Sequence, residues 1–195
     1  DIEAYAARDQ VRPMRDARVG MLPPKLAQII INLARGNSTA NPHGTTVLDP
    51  FCGTGVILQE ALLAGFTAYG TDLEPRMIEY STKNLQWLDT THKLDDANYN
   101  LEVVDATNYA WKPFDMVACE TYLGQPLSGL PSHTKLQQII DNANHIHLQF
   151  LRNLATQMKP GSRACIAVPA WEVQGQFKHL PVIDQFAKLG YATKQ

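Results

Sequence analysis

The stretch Val47-Leu48-Asp49-Pro50-Phe51-Cys52-Gly53-Thr54-Gly55 decides the fold. A short β-forming run, residues 45–49, ends in an acid. A loop with two glycines follows, and residues 56–64 then read as a helix. A strand, a glycine loop and a helix open an α/β unit, and ligands of such sheets bind at the carboxyl ends of the strands, near the switch in strand order. Gly53 and Gly55 let the backbone bend sharply and come close to a ligand. A plain tight turn uses the same pair, so the glycines alone do not identify one.

Downstream the chain keeps alternating. Residues 66–72 read as a strand, 75–88 as a helix, and 100–104 and 114–120 as strands. Met116, Val117 and Ala118 run without a polar break, as in a strand buried on both faces. A long helix is expected at 133–158, with Leu136, Ile139, Ile140, Ala143, His147, Phe150, Leu151 and Leu154 on one side. A strand at 163–168, a helix at 174–188 and a further strand from Tyr191 complete the pattern. Upstream, Pro23-Pro24 opens a helix with Leu26, Ile29, Ile30 and Leu33 at helical spacing, ended by Gly36 and residues 37–42. Alternation of this kind means an α/β fold with a mainly parallel sheet and helices on both faces.

Length and composition fit one such domain. The chain has 195 residues, 45% hydrophobic and 18% charged, which excludes disorder and collagen-like structure. The longest apolar run, residues 164–168, falls far short of the ~20 residues of a membrane span. Net charge is −2, so charge alone does not announce a nucleic-acid partner. Cys52, Cys119 and Cys165 are odd in number and form no CxxC pair. That rules out a zinc ribbon and favours a reduced, cytoplasmic setting. No metal site is expected: His145 and His147 lie two apart on a helix and point away from each other. The absence of Met at residue 1 and the stop in mid-pattern at Gln195 suggest a piece of a longer protein.

The loop also says what it binds. A dinucleotide fingerprint wants a third glycine, and Leu58 stands there. It also keeps the strand end free for pyrophosphate, whereas Asp49 puts a carboxylate there. A carboxylate repels phosphate and suits a cationic amino-acid group. S-adenosylmethionine has that group and no phosphate. Asp72 ends the second strand about 20 residues on, where an acid accepts both ribose hydroxyls. Asp105, with Ala106 behind it, ends the third strand and faces the adenine edge; a turn-capping role is the alternative for it.

These residues resemble a class I S-adenosylmethionine-dependent methyltransferase. The stretch from Arg12-Pro13 through Gly20-Met21-Leu22-Pro23-Pro24-Lys25-Leu26-Ala27, then Asn32-Leu33-Ala34, is narrower in reach. Joined to the loop from Asp49 to Gly55, it resembles the tRNA guanosine N2-methyltransferases that act at position ten. The resemblance covers about residues 8–125. It implies a Rossmann-like fold with its last strands missing from this piece. It implies a basic N-terminal arm at 1–22, a methyltransferase domain at 23–195, and a THUMP-type RNA-binding domain outside the piece. The cofactor set it implies is Asp49, Pro50, Phe51, Gly53, Thr54, Gly55, Asp72, Leu73, Asp105, Ala106 and Glu120.

The family's catalytic signature after the fourth strand is Asp/Asn-Pro-Pro-Tyr. Here Glu120 stands for the acid, Thr121 for the first proline, Tyr122 for the second and Leu123 for the aromatic. Glu120, Thr121 and Tyr122 are the expected catalytic residues. Methylation of an exocyclic amine of RNA, N2 of guanine in tRNA first, is the function implied. Adenine N6 of DNA or RNA is a second target. A module that binds S-adenosylmethionine or RNA without turnover is a third reading, which Thr121 and Leu123 favour.

Overall fold

The computed structural model describes residues 2–16, 22–94, 98–124, 129, 131–173 and 175–193. Strands β1 (Thr46–Asp49), β2 (Thr67–Asp72), β3 (Tyr99–Val103), β4 (Met116–Glu120) and β5 (Ala164–Ala167) form one sheet in the order β3-β2-β1-β4-β5. Every adjacent pair is parallel. The chain moves outward from β1 through β2 to β3, then returns to the other side of β1 as β4. The carboxyl ends of β1 and β4 therefore flank the switch point, where such sheets bind ligands.

The sheet is sandwiched between helices, and β1, β2 and β4 are buried on both faces. Alternate side chains go to opposite sides. Leu48, Val117 and Cys119 meet Phe150 and Leu154 of α5 (His133–Ala155). Val47, Met116 and Ala118 meet Ile30 and Ile31 of α2 (Pro24–Arg35) and Ile57 of α3 (Val56–Leu63). Leu58, Ala68, Leu85 and Leu88 join α3, the sheet and α4 (Pro75–His92). In a dinucleotide fold the third glycine of the loop lets helix and strand approach. Here the helix carries Leu58 and the strand supplies the gap. A Cβ at Gly70 of β2 would lie 2.4 Å from Leu58 Cδ1.

The expected basic arm starts as a helix, α1 (Ile2–Gln10), and part of it is buried. Arg8 reaches the carboxylate of Glu60 in α3, donating from Nε at 2.6 Å and Nη2 at 3.0 Å, and Gln28 of α2 donates to the same carboxylate at 2.6 Å. Arg12 is buried as well. Neither guanidinium is therefore displayed to phosphates, and Arg18 lies outside the described residues. Further on, Asn84 of α4 accepts from Met14 N and donates to Met14 O and Thr54 O, which ties this segment to the glycine loop.

Three expected elements differ. Helix α2 buries Ala27, Ile30, Ile31 and Ala34, and leaves Leu26, Ile29 and Leu33 exposed. Apolar residues occupy more than one of its faces, so spacing alone cannot pick the buried one. Residues 175–188, within the helix expected at 174–188, are not an α-helix. Strands β6 (Ala170–Val173) and β7 (Gln176–His179) pair antiparallel, and a 3-10 helix, Pro181–Leu189, follows. Gly175 at φ 77° supplies the left-handed residue that a short hairpin turn needs. The strand expected from Tyr191 is absent among the described residues. The Tyr191 ring stacks edge-on to Phe186, and its hydroxyl donates to Leu151 O at 2.7 Å. Among the described residues no helix is long and apolar enough to cross a membrane.

Candidate functional site

A cavity of about 880 Å³ opens at the carboxyl ends of the strands, lined by residues 49–54, 72–74, 105–107 and 120–124. Four segments far apart in sequence thus meet at the switch point. Asp49, Pro50, Phe51, Gly53, Thr54, Asp72, Leu73, Asp105, Ala106, Glu120, Thr121 and Tyr122 all line it. Gly55 does not. It lies beneath the cavity as the residue before α3, at φ 82°, with its N–H donating to Cys52 O at 2.7 Å. Leu22, Val56 and Ile57 also line it, and Met77 of α4 and Ile146 of α5 complete the wall. Sequence reasoning missed both, because each looks like any apolar residue on a helix.

The loop is held in one shape by bonds to β2 and α4. Cys52 N donates to Thr71 O at 2.9 Å, and Ser81 Oγ donates to Gly53 O at 2.8 Å. A Cβ at Gly55 would come within 2.8 Å of Ser81 Oγ, so this position needs glycine for space as well as for φ. Asp72 accepts from Gly53 N and from Glu74 N, each at 2.9 Å. It joins the first two strand ends through one side chain. Asp105 accepts from Thr107 N at 2.8 Å and Thr107 Oγ1 at 2.7 Å through a single oxygen. It caps its turn and also lines the cavity.

The electrostatics are one-sided. Asp49 is 2% exposed and accepts one hydrogen bond among the described residues, from Phe51 N. Burial pushes its carboxyl well above the usual range, and the charges of Asp72 and Glu120 add to the shift. Burial raises Asp72 and Glu120 as well. Among the described residues lining the cavity there is no Lys, Arg or His to balance them. A cavity with this donor set is a poor cradle for phosphate and a good one for a cation carrying hydroxyls and amines. S-adenosylmethionine fits these residues.

Beyond β4 the chain is anchored before it enters the cavity wall. Glu120 pairs with Ala167 of β5 and is half-buried. Thr121, only 3% exposed, donates its N–H to Ala167 O at 3.0 Å. Its hydroxyl lies 2.6 Å from Nε2 of His147 on α5. Tyr122 is half-buried at the wall and Leu123 is 40% exposed. His147 escaped the sequence reading as a site neighbour. The available signal was a histidine among the apolar positions of a helix face.

The remaining candidates are structural. Burial and the nearby Asp49 charge hold the Cys52 and Cys119 thiols well above their usual range, so neither is a thiolate nucleophile. Trp111 sits in the core with Tyr109, Phe114 and Phe150 around it. Among the described residues no group of His, Cys, Asp and Glu is placed to hold a metal ion.

Residues 41–188 match a family of proteins described as methyltransferase domain. The chain is 29% identical over 150 residues to a tRNA (guanine(10)-N2)-dimethyltransferase of Methanothermobacter thermautotrophicus, covering 77% of this chain and 39% of that protein. It is 41% identical over 100 residues to a protein of the same name from Methanocaldococcus jannaschii, covering 45% of this chain and 27% of that one. It thus spans well under half the length of these relatives. Among solved structures, the rRNA methyltransferase aviRa of Streptomyces viridochromogenes aligns with a TM-score of 0.52 at 18% identity, over 83% of this chain and 78% of that one. At that identity the likeness shows the fold.

Proposed function

The chain belongs to the methyltransferase domain family, with S-adenosylmethionine as its cofactor, and from that premise we propose that it methylates an exocyclic amine of RNA, N2 of guanine in tRNA. The observation that carries the reading is the placement of Glu120, Thr121 and Tyr122 in the same cavity as Asp49 and Asp72. The names of the archaeal relatives support the choice of substrate.

The cofactor supplies a sulfonium-bound methyl group whose bonding electron pair leaves on sulfur. In this reading Asp72 holds the ribose hydroxyls, Asp105 accepts from the adenine amine, and Asp49 faces the cationic amino-acid end. The chain's task toward the substrate is orientation. An exocyclic amine is a weak nucleophile because its lone pair is delocalised into the ring. Two acceptors on its hydrogens, the Glu120 carboxylate and the Thr121 carbonyl, turn that lone pair toward the methyl. Most of the gain is positional. The negative charge of Glu120 adds stabilisation as positive charge develops on nitrogen, and one amine proton leaves to solvent once the C–N bond has formed. Glu reaches ~1.5 Å further than the family's Asp, and sites tolerate only ~0.5 Å of misplacement. The Glu120 backbone must therefore sit further back from the amine than that of an Asp, or the amine must lie elsewhere. Tyr122 supplies the ring that stacks on the target base, since Leu123 cannot; such stacking is worth ~1–3 kcal/mol.

The test is to incubate the full-length protein with labelled S-adenosylmethionine and bulk tRNA, then to digest to nucleosides. Label in N2-methylguanosine is the expected result. Label in N6-methyladenosine would move the target to adenine. Cofactor binding with no transfer to any RNA would overturn the proposal in favour of a binding module. Glu120→Gln is expected to keep cofactor affinity and lose most of the turnover.

A further inference from the structure

Thr121 is the first residue beyond the β4–β5 ladder, which ends at the pair Glu120 and Ala167. From here the sheet no longer sets the direction of the backbone carbonyl. A proline at this place would limit the backbone through its own ring. Thr121 has no such ring, and its surroundings must do the fixing.

The proton count shows how. The His147 ring is 1% exposed, and its Nδ1 lies 2.7 Å from Ala143 O. A carbonyl has no hydrogen to give, so Nδ1 carries the ring proton. Burial lowers the affinity of the ring for a second proton. The ring is therefore neutral, and Nε2 offers only a lone pair. Thr121 has one hydroxyl proton and two acceptors in reach, Nε2 at 2.6 Å and Ala167 O at 2.9 Å. Ala167 O already accepts the Thr121 N–H. Nε2 carries no proton and is the nearer acceptor, so the hydroxyl donates chiefly to Nε2 while still in reach of Ala167 O, and Thr121 is pinned from two directions: its N–H to β5, its side chain to α5.

We propose that His147 is a positioning residue for methyl transfer: by accepting the Thr121 hydroxyl it fixes the Thr121 carbonyl as an acceptor for the target amine. This rests on the reading of Thr121 given above. His147 is not among the residues that line the cavity; it acts through the loop.

Replacement by the two amides separates this role from space-filling. The Asn amide can stand in for Nδ1 and leaves the Nε2 place empty. The Gln amide can set an oxygen near Nε2. In His147→Asn, amide exchange at Thr121 is expected to quicken roughly tenfold. Its kcat on tRNA should fall ~10- to 100-fold with a smaller change in KM. Cofactor affinity by calorimetry should stay unchanged. His147→Gln should restore most of both losses. Thr121→Val, which keeps the ring and removes the hydroxyl, should repeat His147→Asn and serves if that variant does not fold. His145→Ala, exposed on the same helix, should change nothing.

Wild-type exchange and kcat in a folded His147→Asn, or equal loss in the Asn and Gln variants, would overturn the proposal and leave His147 as core filling. If the wild type itself transfers no methyl, the function proposed above has failed, and the exchange data still decide whether the bond orders the loop.

Discussion

Replacing Arg8 by Met tests whether the first helix belongs to the folded domain. The Arg8 guanidinium is 9% exposed at the side chain and the Glu60 carboxylate 1%. Arg8 gives that carboxylate two donors, and Gln28 gives a third. Removing the cation leaves a buried carboxylate with one neutral donor. Breaking a buried pair from one side typically costs ~3–5 kcal/mol, because an uncompensated charge remains. For a domain of this size each kcal/mol moves the midpoint by roughly 2–4 °C, so Tm should fall by roughly 6–20 °C. Arg8→Met/Glu60→Met should recover most of the loss, since an apolar pair of similar volume often equals a buried ion pair. The assay is thermal unfolding followed by circular dichroism, with guanidinium titration as a second measure. A single variant within about 1 kcal/mol of wild type would refute the reasoning, because surface pairs are worth no more than that. The segment would then be a solvated arm that merely lies against α3.

Further outcomes follow from the cavity and its supports. Asp72→Ala should weaken S-adenosylmethionine binding ~10- to 150-fold, or ~1.5–3 kcal/mol, through lost charge-assisted bonds; unchanged affinity in calorimetry counts against its ribose role. Gly70→Ala should destabilise by ~1–3 kcal/mol, because its Cβ meets Leu58 and Leu101, and pairing it with Leu58→Ala should relieve much of the clash; additive losses in the double variant would contradict the helix–strand exchange. Burial raises the carboxyls of Asp49, Asp72 and Glu120 above their ordinary values in the free protein, and a bound cation opposes that shift. Binding of the sulfonium should therefore release protons, with affinity rising as pH is raised through and above the ordinary carboxylate range, and a flat affinity with buffer-independent enthalpy would be evidence against it.

What the sequence shows and what it hides divide along a physical line. The glycine loop, Asp49, Asp72, Asp105 and Glu120 were legible because each marks the end of a strand, and strands buried on both faces stand out as apolar runs. In a parallel sheet those ends converge whatever the helices do, so alternation alone brings them to one cavity. Leu58 was legible as a departure, but its counterpart Gly70 was not, since nothing local says that a strand will yield the space a helix has taken. Arg8 read as solvent-facing because its partner Glu60 lies 52 residues away on a mostly apolar helix. The second hairpin strand, Gln176–His179, read as part of a helix at 174–188 because few turn residues interrupt that run, and Gly175 had to be weighed against a pattern that fits either period. His147 hid for the same reason as Arg8. A buried polar side chain takes its meaning from the one group it meets, and Thr121 is 26 residues away on another element. Residues that touch a ligand lie at places the topology dictates. Residues that hold those in line are set by single long-range contacts, and only the folded chain displays them.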